Sequence, residues 1–234
     1  MDFGGDKDIA RVSGVIIPAF NAETCISETL AGLLAAVPAG RIAVVDDGST
    51  DRTASKAEAE GVTCLRHEVN LGKGSALMTG LLWAREQGWQ WALTMDADGQ
   101  HSPADLPGFW RAKVGPETAL VVGRREIRAS SMPAHRRFSN LLTTRIISRL
   151  ARQPVHDAQS GYRMYRLEAV AAAGLPRHGR FEWESQALVL FSRAGYSILP
   201  AEVATLYTAN GSHMRLWADS LRFVKMCWRL AWMR

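Results

Sequence analysis

Cysteine is scarce in this sequence. Only Cys25, Cys64 and Cys227 occur among the 234 residues, and no two of them stand in a C-x-x-C spacing. An odd number of cysteines without that spacing supports neither a disulfide framework nor a structural zinc site. We therefore expect reduced cytosolic thiols.

The composition, 47% hydrophobic and 22% charged, is enough for the sizeable core of one α/β domain.

Long apolar runs are also missing. No uninterrupted run approaches the ~20 residues that a bilayer-spanning helix needs, so the polypeptide is not expected to cross a membrane unaided. Residues 1–14, "MDFGGDKDIARVSG", contain no apolar core of a signal peptide. We expect any catalysis to take place on the cytosolic side.

Positive charge is present in excess but is unevenly placed. The net charge is +5 and the pI is near 9.4. Residues 124–152 hold eight arginines against one acid, and residues 215–234 hold five cations against one acid. A basic chain can bind nucleic acid, but these residues form no recognition motif. A nucleic-acid partner is therefore not expected.

Short β-branched runs alternate with helical patterns through the first hundred residues. The runs predict strands over 12–18, 41–46, 62–66 and 91–95, and the patterns predict helices over 22–36, 53–60 and 75–86. Such alternation predicts a mostly parallel sheet flanked by helices, with a ligand crevice outside the carboxyl ends of the strands. No G-x-G-x-x-G turn follows the first strand, which disfavours a Rossmann dinucleotide site.

Two carboxylates one residue apart follow the fourth predicted strand. They are Asp96 and Asp98 in "MDADGQH", with Gln100 two residues further on. Like charges placed so close resist burial unless a cation lies between them. Oxygen ligands of this kind suit magnesium or manganese, which would also hold a diphosphate. The alternative is a polar turn with Asp98 and Gly99 at its corner.

Two more polar segments follow the second and third predicted strands. "DDGSTD", residues 46–51, could be a turn that ends in a helix cap, but the adjacent acids Asp46 and Asp47 also suit hydrogen bonding to a base or ribose. "NLGKG", residues 70–74, places Lys73 and backbone amides where phosphate could bind, although a plain turn has the same pattern. All three segments should share one edge of the sheet.

Four segments together carry a resemblance to a known family. "VIIPAFNAE", "VVDDGSTDRT", "NLGKGSAL" and "MDADGQHSPADLP" resemble, in order and spacing, the family 2 glycosyltransferases of GT-A fold, especially polyprenyl-phosphate sugar synthases of the dolichyl-phosphate mannose synthase type. The likeness covers residues 12–200. It implies nucleotide-sugar binding by seven residues: Pro18, Ala19, Asn21, Glu23, Asp47, Lys73 and Asp96. It also implies a Mg²⁺ or Mn²⁺ site at Asp96, Asp98 and Gln100, with Asp98 taking part in catalysis.

The second half of the likeness concerns the acceptor. "VVGRRE", "HRRFSN", "DAQSGYRMYR" and "FEWE" resemble the family's segments on that side. By resemblance, a lipid phosphate would be received by Arg124, Arg136 or Arg137, Ser139 and Arg163. Guanidinium groups suit phosphate because they bind it in a bidentate manner. Asp157 is interpreted as orienting the acceptor or Arg163, with a general-base role as the alternative.

The last residues differ in character from the rest. Leucines and three tryptophans alternate with cations at near-helical spacing in residues 213–234, which is typical of a helix lying in a membrane interface. A helix packed on the core is the alternative. We therefore divide the chain into a GT-A catalytic domain, residues 1–212, and a C-terminal amphipathic helix, residues 213–234.

The resulting expectation is a metal-dependent, inverting glycosyltransferase. It would move a hexose from a donor of the GDP-mannose or UDP-glucose type to polyprenyl or dolichyl phosphate, as a peripheral protein at the cytoplasmic face of a membrane. Transfer to a glycan or a soluble acceptor is the alternative within the enzyme class. A non-enzymatic nucleotide-sugar sensor or partner subunit is the alternative outside it.

Overall fold

The computed structural model describes residues 6–125, 134–203 and 216–233. Seven strands are present in these ranges: β1 Ser13–Ala19, β2 Ile42–Asp46, β3 Thr63–Arg66, β4 Trp91–Thr94, β5 Thr118–Arg125, β6 Arg163–Arg166 and β7 Ser197–Val203. The helices are α1 Asp6–Val12, α2 Ile26–Leu34, α3 Thr53–Ala59, α4 Lys73–Glu86, α5 Leu106–Trp110, α6 Ala134–Ala151, α7 Leu167–Ala172, α8 Glu182–Arg193 and α9 Leu216–Trp232. Two single-turn 3₁₀ segments, Ala39–Arg41 and Pro103–Asp105, precede β2 and α5.

The strands form one mixed sheet in the order β3-β2-β1-β4-β6-β5-β7. Strands β3, β2, β1 and β4 pair in parallel, and β5 pairs in parallel with β7. Strand β6 lies between β4 and β5 and is antiparallel to both. The start of β6 therefore lies at the same edge as the carboxyl ends of the other six strands, which brings residues 157–162 to that edge.

Helices cover both faces of the sheet. On one face α4, α7, α8 and α9 enclose a cluster that includes Ile16, Val45 and Trp183. On the other face α1, α2 and α5 enclose a cluster that includes Ile17 and Phe109. Neighbouring residues of β1 point to opposite faces because side chains alternate along a strand, and every residue of β1 is buried.

The structure confirms the predicted class, a mostly parallel sheet flanked by helices. The predicted strands and helices of the first hundred residues are present, with ends that differ by a few residues. Helix α1 was not predicted, because its seven residues are too short to show a clear period. The division into domains at residues 212 and 213 falls outside the described ranges and stays a prediction.

Helix α9 has two apolar faces. Met226 and Leu230 are buried where the helix packs on α6 and α8. Trp228 and Trp232 lie on the opposite side, 68% and 72% exposed, with their rings 5.6 Å apart. One face of the helix thus packs on the core and the other exposes apolar side chains, and its placement in a membrane interface stays a prediction. Within the described ranges, no helix has the length and apolar character needed to span a bilayer.

Candidate active site

The candidate site lies at the carboxyl edge of the sheet, where the predicted polar segments meet. Lys73 is the first residue of α4, and Asp96 follows β4 by two residues. The Lys73 Nζ atom lies 2.7 Å from Asp96 Oδ1 and 2.8 Å from Glu184 Oε2. Glu184 belongs to the first turn of α8, so three elements distant in sequence meet around one ammonium group.

Charge pairing sets the ionisation of this cluster. Burial alone would lower the pKa of Lys73, but the carboxylates of Asp96 and Glu184 outweigh it and hold the pKa above its ordinary value. Burial alone would raise the pKa of Asp96, yet the Lys73 ammonium holds that pKa well below its usual range. Both partners are therefore charged at neutral pH.

Among the described residues, Asp98 is the carboxylate of the site that makes no close ion pair with a lysine or arginine. Burial and then the negative charge of Asp96 raise the pKa of Asp98. One of its oxygens accepts a hydrogen bond of 3.0 Å from the backbone N–H of Gln100. A divalent cation would relieve the repulsion between the two carboxylates, as the sequence predicts.

The side chains present fit magnesium or manganese, but they supply only a few of the ligands that either ion needs. Within the described ranges, no group of three or more His, Cys, Asp or Glu side chains is arranged to hold a metal ion. The predicted set has two carboxylates, Asp96 and Asp98, and the amide of Gln100 as the third group. Such a set suits Mg²⁺, which commonly binds one or two carboxylates and completes its shell with water and phosphate oxygens. The metal assignment stays a prediction.

Asp47 supports the site instead of facing it. Its Oδ1 accepts from the backbone N–H of Leu71 at 3.0 Å and lies 2.7 Å from His67 Nδ1, while its Oδ2 accepts from the N–H of Gly72 at 2.8 Å. Gly72 has a φ of +101°, which favours glycine. The buried Asp47 carboxylate therefore shapes the loop that carries Lys73. The predicted contact of Asp47 with the base stays a prediction.

The other donor residues predicted from the first segment lie beside the same crevice. Pro18 and Ala19 are buried at the end of β1. Asn21, at a φ of +49°, accepts from the N–H of Thr50 at 2.9 Å. The Glu23 carboxylate accepts from Arg52 through its backbone N–H at 3.0 Å and its guanidinium at 2.8 Å. Asn21 and Glu23 thus tie the loop after β1 to the loop after β2, and their contact with a nucleotide stays a prediction.

The two arginines that end β5 have different environments. Arg124 lies 3.4 Å from Glu202 of β7, and both side chains are more than half exposed. Arg125 instead donates two hydrogen bonds to the buried Asp157, at 2.6 and 2.9 Å. Asn140 of α6 donates to the same carboxylate at 3.2 Å. Asp157 therefore orients Arg125, whereas sequence analysis paired it with the acceptor or Arg163.

Arg163 lies in a more buried setting than its predicted role suggested. Its side chain is fully buried, and its three nitrogen atoms donate to backbone carbonyls of Ser160 at 2.7 Å, Glu184 at 2.6 Å and Ala158 at 2.9 Å. A guanidinium whose donors are used in this way braces the turn before β6, and its contact with an acceptor phosphate stays a prediction. The sequence could not show this, because burial depends on β6 lying between β4 and β5.

The remaining acceptor residues lie at the beginning of α6. Arg136 is in its first turn, and its side chain is outside the described part. Arg137 and Ser139 are exposed, while Asn140 is buried on the inner face of the helix. The structure therefore leaves Arg137 and Ser139 accessible to a ligand, and their role stays a prediction.

Sequence analysis missed two residues at the centre of the site. Glu184 was noted within "FEWE" but was not assigned to the site. The Nε2 atom of His101 lies 3.9 Å from Asp96 Oδ2, and its ring packs at a tilt against Tyr162, with ring centroids 4.9 Å apart. The signal for Glu184 was an acid in the first turn of a helix, which is common for reasons of helix capping alone.

Comparison with known proteins agrees with this geometry. The family model described as Glycosyl transferase family 2 matches residues 14–173, more than half of the chain. The chain belongs to glycosyl transferase family 2. This membership makes the protein a glycosyltransferase.

Several relatives within the family have names that state an activity. A UDP-N-acetylglucosamine–dolichyl-phosphate N-acetylglucosaminyltransferase of Methanococcus voltae is 32% identical over 83% of this chain and 85% of the relative. An undecaprenyl-phosphate mannosyltransferase of Micrococcus luteus is 34% identical over 68% of both chains.

A solved structure with the same fold is of an enzyme named for a different kind of acceptor. Glucosyl-3-phosphoglycerate synthase of Mycobacterium tuberculosis, in complex with Mg²⁺ and UDP, aligns with a TM-score of 0.75 over 98% of this chain and 84% of that one. At 20% identity the likeness shows the fold alone, which is the GT-A type expected from the sequence.

Proposed function

We propose that this glycosyltransferase moves a hexose from a nucleotide-sugar to a polyprenyl phosphate, with inversion at the anomeric carbon. The observation that carries the proposal is the meeting of two groups at one sheet edge. Asp96 and Asp98 follow β4, and Arg124 and Arg125 end β5, beside the start of β6. Two relatives named as prenyl-phosphate sugar transferases support this acceptor class.

The donor half would be built on the loops after β1 to β4. Asp96, Asp98 and Gln100 would hold Mg²⁺ or Mn²⁺, which when bound stabilises the charge that develops on the departing nucleoside diphosphate. Lys73 would place its ammonium beside the same phosphates. Asn21 and Glu23 would keep the wall of the pocket rigid through their bonds to the next loop.

The acceptor half would bind an anion that is already a nucleophile. A phosphate monoester is negatively charged near neutral pH, so its attack on the sugar needs little general-base help. Guanidinium groups at Arg124, Arg136 and Arg137 suit its oxygens, and Ser139 can donate a further hydrogen bond. Asp157, already bound by Arg125, would fix the end of β5 and would not remove a proton.

Arg124→Ala is expected to raise the KM for the acceptor about tenfold or more and to leave donor affinity nearly unchanged. The substitution removes one charge-assisted hydrogen bond, worth roughly 1.5–3 kcal/mol. The measurements are acceptor titration and calorimetry with the nucleotide. Glu202→Gln is the matched control, because it removes the ion-pair partner of Arg124. Both charges are exposed, so loss of this ion pair should have little effect on the protein. An equal loss in donor affinity would move Arg124 to the donor side.

A peripheral membrane contact would bring this site to its lipid substrate. The outer face of α9 exposes Leu221, Val224, Trp228 and Trp232 by 57%, 64%, 68% and 72%. The neighbouring helix α6 exposes three more large apolar side chains, Phe138, Leu141 and Leu142. Exposed cations lie on both helices, at Arg145, Arg149, Lys225 and Arg229. Tryptophan, leucine and cations on the exposed sides of amphipathic helices suit an anionic membrane interface.

Replacing Trp228 and Trp232 together by Ser is expected to abolish most binding to vesicles that contain anionic lipid. Both side chains are largely exposed, so the fold should tolerate the change. Basic residues near an anionic surface contribute roughly 1 kcal/mol each, so binding of the unaltered chain should weaken as salt rises. The measurement is co-sedimentation, with Val69→Ser as a control at an exposed apolar residue elsewhere. Equal binding by all three proteins would contradict the assignment.

A transfer assay tests the function directly. UDP- and GDP-sugars would be offered with Mn²⁺, in separate reactions, to a short polyprenyl phosphate and to 3-phosphoglycerate. The second acceptor is included because the structural neighbour with the same fold is named for it. Product on the polyprenyl phosphate alone is the expected result. Product on phosphoglycerate alone would favour a soluble acceptor, and nucleotide binding without product on any acceptor would favour a sensor.

A further inference from the structure

Glu184 lies at the junction of the donor and acceptor halves, outside residues 14–173 that match the family. Its Oε2 is 2.8 Å from Lys73 Nζ, and its Oε1 is 3.7 Å from Arg163 Nε. Its backbone carbonyl accepts from Arg163 at 2.6 Å. Oε1 is buried and makes no hydrogen bond to the described residues. A buried carboxylate that is only partly satisfied is costly, and a functional role would explain it.

The position of Glu184 is fixed by tight packing between α8 and α4. Trp183 immediately precedes Glu184 in α8. A Cβ atom added at Gly74 would lie 2.4 Å from the Cβ atom of Trp183, so only glycine fits at position 74. The N–H of Ser75 also donates to the carbonyl of Gly179 at 3.1 Å. The backbone that carries Glu184 is therefore held against α4, so Glu184 cannot follow a large movement of the Lys73 side chain.

Lys73 is shared between two carboxylates at nearly equal distance, 2.7 Å to Asp96 and 2.8 Å to Glu184. An ammonium group has three donors on one compact charge. Because both carboxylates interact with this one charge, each weakens the interaction of the other with Lys73. Asp96 is the one of the two that also borders Asp98 and the predicted metal site.

We propose that Glu184 is a positioning residue of the donor site: by sharing Lys73 with Asp96, it leaves Asp96 able to take a second cation. This inference rests on the proposed function. Without the charge of Glu184, Lys73 would pair with Asp96 alone. The site would then bind a divalent cation less well, and a metal-free diphosphate equally well or better because one negative charge is gone.

Glu184→Gln tests the proposal, with Glu182→Gln as its matched control. The control removes the same charge from the same first turn of α8. Calorimetry would measure Mn²⁺ alone, and UDP and GDP with and without Mn²⁺, alongside thermal melting. We expect the Mn²⁺ affinity of Glu184→Gln to fall about tenfold, with metal-free nucleotide binding unchanged or tighter. Unchanged Mn²⁺ affinity, or a parallel loss of both affinities and of thermal stability, would overturn the proposal.

A double-mutant cycle separates sharing of Lys73 from a general charge effect. In a Lys73→Met background there is no ammonium to share, so Glu184→Gln should lower Mn²⁺ affinity clearly less than it does with Lys73 present. An equal fall in both backgrounds would mean that Glu184 acts only as a distant charge, and would overturn the proposal.

The unaltered protein separates this proposal from the proposed function. If it binds neither UDP nor GDP with Mn²⁺, the donor assignment fails and the role of Glu184 fails with it. If it binds a nucleotide and the cycle shows no coupling, only the role of Glu184 fails. Glu184→Asp gives a last check, because it restores the charge on a shorter side chain and should recover part of the Mn²⁺ affinity lost in Glu184→Gln.

Discussion

Asp98→Ala is expected to lower metal-dependent glycosyl transfer by about 100-fold or more. A loss of this size is typical when one preorganised group that stabilises developing charge in the transition state is removed. Asp98 lies beside Asp96, and the pKa of Asp98 is raised by burial and by that neighbouring charge. Removing it should relieve repulsion in the protein and so leave the melting temperature unchanged or higher. The loss is therefore expected in function and not in folding.

The measurements for Asp98→Ala are initial rates over a range of Mn²⁺ concentrations and thermal melting. Glu28→Ala on α2 serves as the control, since it removes an exposed carboxylate elsewhere on the surface. Excess Mn²⁺ should not restore the rate, because a ligand is missing and the metal is not limiting. Full activity of Asp98→Ala at high Mn²⁺ would refute the metal assignment.

The location of the site could be predicted from the sequence because it depends on alternation. Once strands and helices alternate, parallel strands place their carboxyl ends on one edge, and the loops there collect the ligand-binding residues. The rule places Asp96, Asp98 and Lys73 at this edge, and the resemblance to the family gave them their roles. Their actual contact is closer than the rule implies, with Lys73 bound directly to Asp96.

The direction of individual side chains could not be predicted. Arg124 and Arg125 are adjacent in sequence, and only the pairing of β5 with β7 and the turn before β6 shows that Arg124 is exposed while Arg125 is bound to Asp157. Arg163 has the same chemistry as both but is buried. The reason is the antiparallel strand β6, whose place in the sheet is set by long-range pairing and has no local signature.

Asp47 shows a further limit of sequence interpretation. An acid after a parallel strand suits a ribose or base, but it equally suits backbone N–H groups of the next loop. In the structure the backbone N–H groups of Leu71 and Gly72 occupy its oxygens. The two uses involve the same residue type at the same position, so the sequence pattern alone does not reveal the bonds to Leu71 and Gly72.

Gly161 lies close against the Asp96 carboxylate. An added Cβ atom would lie 2.6 Å from Asp96 Oδ2 and 2.9 Å from Oδ1, so the carboxylate would have to move. Asp96 has little freedom to do so, because its other oxygen is bound by Lys73 at 2.7 Å. A displacement of about 1 Å at a reacting centre can reduce the rate about 100-fold.

Gly161→Ala is therefore expected to reduce glycosyl transfer about 100-fold and to weaken Mn²⁺ binding, measured by initial rates and calorimetry. Gly115→Ala is a closely matched control: its Cβ atom would also lie 2.6 Å from a carboxylate oxygen, that of Glu117, which is exposed and can swing aside. The control should keep full activity. If Gly161→Ala is also fully active and binds Mn²⁺ normally, the position of Asp96 does not limit the reaction, and the assignment of Asp96 to donor and metal would fall.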